Sequence, residues 1–185
     1  MPNLCDYEIR VRGKKEKVEE FIKVIQSDYN VDKNTSEFDR HLYRVFDADV
    51  YDKKEENGLT TAYIAGTCAW SVHSCMMEGS YTYYNEYSKL ETHGTSLIQE
   101  SKNLHLEIEV GSEESGCTFS EHFLINNGDM VIEECNDFYE IYWDGTPESL
   151  KEINEAHDLN LTEKDFDEND YYKIGGLDTI DFVID

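Results

Sequence analysis

Apolar and polar positions alternate at the start of the chain and then change period. In residues 5–12, Tyr7, Ile9 and Val11 fall on one side and Glu8, Arg10 and Arg12 on the other. That period of two marks a strand with one face buried, and Gly13 ends it. Residues 14–27 place Val18, Phe21, Ile22 and Ile25 at i, i+3, i+4 and i+7, which predicts an amphipathic helix. A polar loop follows over 28–40. Residues 41–51 then predict a second strand, with Leu42, Val45, Ala48 and Val50 as candidate buried positions. Glu55-Glu56-Asn57-Gly58 is a turn signal, and residues 59–70 predict a third strand. A short helix is expected at 71–77, an irregular Tyr-rich excursion at 78–94, and a second helix at 95–103 with Thr95 or Ser96 as its N-cap.

The clearest alternation comes next: Leu104, Leu106, Ile108 and Val110 against His105, Glu107 and Glu109. This pattern puts those acids, and His105, on an outward face. Residues 117–125 and 130–143 predict a hairpin across Asn126-Asn127-Gly128-Asp129. Asn-Gly favours a two-residue turn, but the flanking polar residues predict a longer loop. His122, in the first arm of that hairpin, is expected at an outer, solvent-facing position. Residues 147–157 predict a helix with Pro147 in its first turn, and residues 159–185 an acidic tail with a late apolar stretch at 180–184.

The order strand, helix, strand, strand, helix, strand predicts an α+β chain. Its core would be a ferredoxin-like split βαβ with an antiparallel sheet, extended by a β-hairpin and an acidic C-terminal helix and tail. The chain has 2 prolines and no Gly/Ser-rich or Pro-rich linker. The expected organisation is therefore one α+β domain over 1–145, with 146–185 an acidic extension packed on the same unit.

Composition adds a surface to this scheme. Apolar residues make up 39% and aromatic residues 12% of the 185, enough for a packed core, so the polarity belongs to the surface. Against 16 Lys and Arg stand 41 Asp and Glu, a net charge of −25. Such a chain repels nucleic acid and anionic membranes, which are excluded as direct partners, while basic proteins and cations remain. The five cysteines (Cys5, Cys68, Cys75, Cys117, Cys135) form no C-x-x-C pair, the first residues lack a basic and apolar leader pattern, and no apolar run reaches membrane-spanning length. A reducing, cytoplasmic setting is expected.

Candidate chemistry is sparse. Cys68, His73 and Cys75 lie near Trp70, but zinc wants four ligands in two close pairs and no second pair exists. Asp165-x-Asp167-x-Asn169 opens like an EF-hand loop, then has Asp170 where glycine is required and Gly176 where a bidentate Glu belongs. No Cys, Ser or His sits in a nucleophile elbow, and Gly175-Gly176 lacks the Lys-Ser/Thr of a phosphate loop. Tyr81, Tyr83, Tyr84 and Tyr87 suit a protein interface, since Lys89 alone among nearby residues offers a cation to a nucleic acid. No catalytic residue, cofactor or metal is expected.

The distribution of charge says more than its sum. Residues 1–54 carry 12 acids and 11 bases, residues 55–132 carry 12 and 2, and residues 133–185 carry 17 and 3. The excess is thus −1, −10 and −14, nearly all of it after Lys54. Clusters recur at Glu55 and Glu56, at Glu113 and Glu114, at Glu133, Glu134, Asp137 and Glu140, and at Asp165, Asp167, Glu168 and Asp170. Carboxylates at intervals of several ångströms imitate the charge of a nucleic-acid backbone and compete for a basic groove. These twelve residues are the expected partner-binding set.

Four segments taken together carry a resemblance: Asn3-Leu4-Cys5 running to Gly13 with the helix at 18–25, Ala69-Trp70-Ser71, the strand at 106–110, and Glu114-Ser115-Gly116-Cys117-Thr118-Phe119. They are similar to phage- and plasmid-borne proteins with a YubB-like ferredoxin-like domain. The resemblance covers roughly residues 2–135. This chain has Leu4 where those proteins have an aromatic, and it adds the acidic C-terminus. The resemblance implies a fold and a mobile-element origin, and it brings no catalytic residues. With the charge, it leads to the expectation of a non-enzymatic inhibitor of the anti-CRISPR or DNA-mimic type, acting on a basic host nuclease or other nucleic-acid-binding defence protein. The alternatives are an accessory protein-interaction domain relying on Tyr83, Tyr84 and Trp143, and a divalent-metal hydrolase.

Overall fold

The computed structural model describes residues 3–27, 40–77, 82–84 and 91–185, with the backbone alone for 82–84 and 91–93. Its centre is a six-stranded antiparallel sheet. β1 (Leu4–Gly13) lies between β4 (Leu59–Ala69) and β7 (Glu107–Glu114); β3 (Val45–Glu56) borders β4, and β8 (Phe119–Asn126) and β9 (Asp129–Asp137) continue outward from β7. The order is β3-β4-β1-β7-β8-β9, so β3 and β9 are its two edges. Two short strands, β5 (Thr82–Tyr84) and β6 (Glu91–Thr95), form a separate small sheet with β2 (Arg40–Leu42).

The expected second strand therefore divides. Residues 43 and 44 turn between β2 and β3, with Arg44 at φ 50°. Both hairpins turn on Asn-Gly with positive φ at each residue: Asn57 and Gly58 at 52° and 79°, Asn127 and Gly128 at 51° and 90°. Asn126 pairs directly with Asp129, so the second loop has two residues and is tighter than expected. The local Asn-Gly preference outweighed the polar flanks, which simply lengthen the ladder.

Helix α1 (Lys15–Ile25) buries Val18, Phe21, Ile22, Val24 and Ile25, and α2 (Leu97–Leu104) starts at Ser96, whose side chain accepts from the Gln99 N–H. Both pack on one sheet face with Ile9, Val11, Ile64, Ile108, Val110, Phe123 and Ile125. A π-helical turn, His73–Met77, adds Cys75, Met76 and Met77 to the same core. Its entry is held by Glu121, whose carboxylate accepts from the N–H groups of Val72 (2.8 Å) and His73 and from the Ser112 hydroxyl (2.9 Å).

The opposite sheet face is also covered, and here the acidic tail departs from expectation. After β10 (Tyr139–Tyr142) come α3 (Pro147–His157), capped by Thr146, and β11 (Tyr171–Ile174), which pairs with β10. Around that ladder Trp143, Phe166 and Tyr172 stack, with ring centroids 5.2 and 6.1 Å apart. Residues 175–185 then run back across the sheet as a strap. Gly111 makes this possible: a Cβ there would lie 2.7–2.8 Å from side-chain carbons of Phe182, Ile180 and Leu177. No helix of the described residues is long and apolar enough to cross a membrane.

Candidate functional site

The strap is held by two carboxylates of β7. Glu109 has no exposed surface; it accepts from the N–H groups of Val183 (2.9 Å) and Ile184 (2.7 Å) and lies 2.8 Å from Nε2 of His122. Burial alone raises its pKa, but the bonds from His122, Ile184 and Val183 outweigh that and hold the carboxyl below its ordinary value. Glu113 pairs with Nζ of Lys173 and accepts from the Leu177 N–H at 2.9 Å. Burial raises this group too, and the Lys173 and Leu177 bonds bring it below the usual carboxylate range. Arg10 completes the clamp: its guanidinium lies 4.0 Å from the Phe182 ring centroid and donates to the Ile184 carbonyl at 2.9 Å.

Two sequence expectations are corrected at this face. Glu109 and His122 were placed outward by strand alternation, and both are buried because the strap makes the second sheet face an interior surface. His105, by contrast, is exposed and sits in the left-handed conformation that ends α2.

The twelve partner-binding candidates are spread over five settings. Glu55 and Glu56 end β3, on one sheet edge, where Glu55 pairs with Lys15 at 2.5 Å. Glu133, Glu134 and Asp137 lie exposed on β9, the opposite edge, five inter-strand spacings or about 24 Å away. Glu140 follows on β10, exposed. Glu168 and Asp170 are exposed near the far end of the β10–β11 ladder.

The remaining members of the set accept hydrogen bonds from nearby groups of the fold, Glu113 and Glu114 from within it and Asp165 and Asp167 at its surface. Glu113 is bound as above. Glu114 is buried and takes the N–H groups of Gly116 (2.9 Å) and Cys117 (2.5 Å). Asp165 accepts from the N–H and hydroxyl of the N-cap Thr162, and Asp167 takes the N–H groups of Asn169 and Tyr171. Glu133, Glu134 and Asp137 thus share the β9 edge, Glu134 on the strap face and Glu133 and Asp137 on the other, while Glu55 and Glu56 lie on the opposite edge.

No ion pair among the described residues involves Glu133, Glu134, Asp137 or Glu140. Ion pairs concentrate in the balanced N-terminal part, among them Arg12–Glu107, Lys17–Glu20, Arg40–Glu20 and Lys53–Glu19. Of the three lysines after residue 132, Lys173 is bound to Glu113 and Lys151 lies 3.6 Å from Glu155 in its own helix.

A second surface feature escaped the sequence reading. Arg44 and Trp70 both have positive φ, at 50° and 64°, and the guanidinium lies 4.3 Å over the indole. Leu4, Phe46 and Trp70 are roughly half exposed at this end of β1, β3 and β4. A bulky aromatic residue in the left-handed region is strained, and such strain gathers at functional sites. Of the interface residues expected from sequence, Trp143 is buried, with Nε1 donating to the Thr146 carbonyl. Tyr81 and Tyr87 lie outside the described residues, and the side chains of Tyr83 and Tyr84 do too.

No group of three or more His, Cys, Asp or Glu among the described residues is arranged to hold a metal ion. Cys68, directly opposite Cys5 in the β1–β4 ladder, is pushed up in pKa by the neighbouring Cys5 and Cys75 thiols and by burial, so it is a protonated core thiol. No family model matches the chain, and neither does a curated protein or a solved structure.

Proposed function

We propose that this chain is a non-enzymatic inhibitor of phage or mobile-element type, whose acidic side engages the cationic groove of a nucleic-acid-binding host defence protein. One observation supports the reading: Glu133, Glu134, Asp137 and Glu140 are exposed on β9 and β10, and none is engaged in an ion pair among the described residues. Unpaired surface carboxylates in a row raise the local potential and steer a basic partner. The strand order β3-β4-β1-β7, with α1 and α2 on one face, supports a ferredoxin-like split βαβ core and so favours the YubB-like resemblance.

Binding to basic nucleases and CRISPR-type effectors, measured at low and high salt, tests the reading. Capture is expected at low salt and should fall at least tenfold on combined reversal of Glu133, Glu134, Asp137 and Glu140 to lysine. Salt-independent capture that survives the reversal contradicts it.

The exposed Arg44–Trp70 stack with Phe46 and Leu4 favours a second reading, a protein-interaction domain whose acidity is for solubility. In that case Trp70→Ala abolishes partner binding and the charge reversal leaves it unchanged.

A further inference from the structure

On the sheet face crossed by the strap, a cleft of about 500 Å³ opens between β9 and residues 175–181. Its lining includes Ser120, His122, Glu134, Asn136, Thr179 and Asp181. Glu134 stands directly opposite His122 in the β8–β9 register, so the two side chains share a face. Glu134 and Asp181 are exposed, and neither is engaged in a hydrogen bond or ion pair among the described residues.

His122 is the informative member. Its side chain is nine-tenths buried, and Nε2 lies 2.8 Å from Glu109. That carboxylate already accepts two backbone N–H groups, so Nε2 carries the proton toward it. Nδ1 has no partner among the described residues. The cleft is lined by the carboxylates of Glu134 and Asp181, the Asn136 carboxamide and the hydroxyls of Ser120 and Thr179. Lys173, the nearest lysine along the chain, is already bound to Glu113. An acceptor-rich cavity of this kind suits a multiply donating cation, and a guanidinium offers five N–H donors in a plane.

The cleft also borders an open strand. β9 is the last strand of its sheet and pairs with β8 alone. Its nine residues include no proline and no lysine, the usual guards of an edge, and all from Val131 to Asp137 except Ile132 are exposed. Its guards are Glu133, Glu134 and Asp137. They repel a second copy of this chain and complement a cationic strand. A strand laid beside β9 would send alternate side chains over the strap face, toward the cleft.

We propose that an extended basic segment of the partner protein adds as a strand to β9 and places an arginine head group in the cleft, against Glu134 and Asp181. The proposal rests on the cationic-partner reading above and names the mode of engagement.

Calorimetric titration with a capped eight-residue peptide of alternating Arg and Val tests it, alongside argininamide and the peptide's two alternately N-methylated forms. The parent peptide should bind at low salt. Glu134→Gln and Asp181→Asn should each weaken it about tenfold, the scale of one charge-assisted hydrogen bond, while Glu152→Gln on α3 changes nothing. One N-methylated form, lacking the donors on the pairing edge, should bind at least tenfold more weakly. Equal binding of both methylated forms and the parent, or of argininamide and the parent, overturns strand addition. Wild-type affinity in both cleft variants, with binding lost on reversal of Glu133 and Glu140, overturns the cleft while the cationic-partner reading stands. Absence of any binding at low salt overturns both.

Discussion

At the scale of single residues, the recurring device is a buried carboxylate that accepts backbone N–H groups from segments unable to pair in the sheet. Glu109 holds the strap, Glu121 the entry to the π-helical turn, and Glu114 the turn at Gly116. Each satisfies donors that would otherwise be buried without partners. Replacing Glu109 by glutamine should cost about 2–3 kcal/mol, since two charge-assisted bonds are lost. Glu152→Gln, on the exposed face of α3, should stay within about 0.5 kcal/mol; urea denaturation of both variants measures the contrast.

The pH dependence follows from the same groups. Glu109 and Glu113 are held below the ordinary carboxylate value, so the folded chain binds fewer protons than the unfolded one. Their stabilisation is fully present above the ordinary carboxylate range and is lost as pH falls through their lowered folded values. The urea midpoint should therefore drop on acidification, and the drop should be shallower in Glu109→Gln. The thiols give an independent check of burial: Cys117 and Cys135 are exposed and Cys5, Cys68 and Cys75 are buried. A thiol reagent should titrate two groups in the folded chain and five after denaturation. These two react slowly at neutral pH because the Glu114 hydrogen bond raises Cys117 and burial raises Cys135.

Among the elements, what the sequence conveyed depended on whether the signal was local. β1, α1, the Asn-Gly turns and α3 were legible because period, cap and turn chemistry lie within a dozen residues. The strap was not. Residues 180–184 read as a short apolar stretch, and nothing near them reveals that Gly111, some seventy positions earlier, leaves room for Leu177, Ile180 and Phe182. For the same reason Glu109 and His122 read as outward: alternation separates two faces and is silent on whether both are covered. The candidate site was half legible. Glu133, Glu134, Asp137 and Glu140 stood out as unpaired acid, whereas the cleft acceptors come from segments the sequence does not join. A Gly111→Val change isolates the strap. Its side chain should lift residues 177–184 from the sheet while the helix-covered face stays folded. Hydrogen exchange should then accelerate at the Val183 and Ile184 amides and remain slow in β1 and β4; uniform acceleration would show instead that strap and sheet unfold as one unit.

For the whole molecule, the charge boundary at Lys54 falls within β3, so the balanced and acidic parts share one sheet. The N-terminal strand and helix are near neutral and internally paired; of the excess, −10 lies in residues 55–132, where Glu100, Glu109, Glu114 and Glu121 are buried, and −14 in residues 133–185, most of whose carboxylates face solvent. The −25 total costs stability through self-repulsion, so added salt should raise the melting temperature. Mimicry of a nucleic-acid backbone demands more than attraction to a basic protein: the acidic side and the nucleic acid must exclude one another from the same groove. The direct measurement is competition, in which a labelled duplex bound to a basic effector is followed by anisotropy as this chain is added. The account predicts full displacement at low salt, lost on reversal of Glu133, Glu134, Asp137 and Glu140. A ternary complex in which this chain and the duplex are bound together would contradict it.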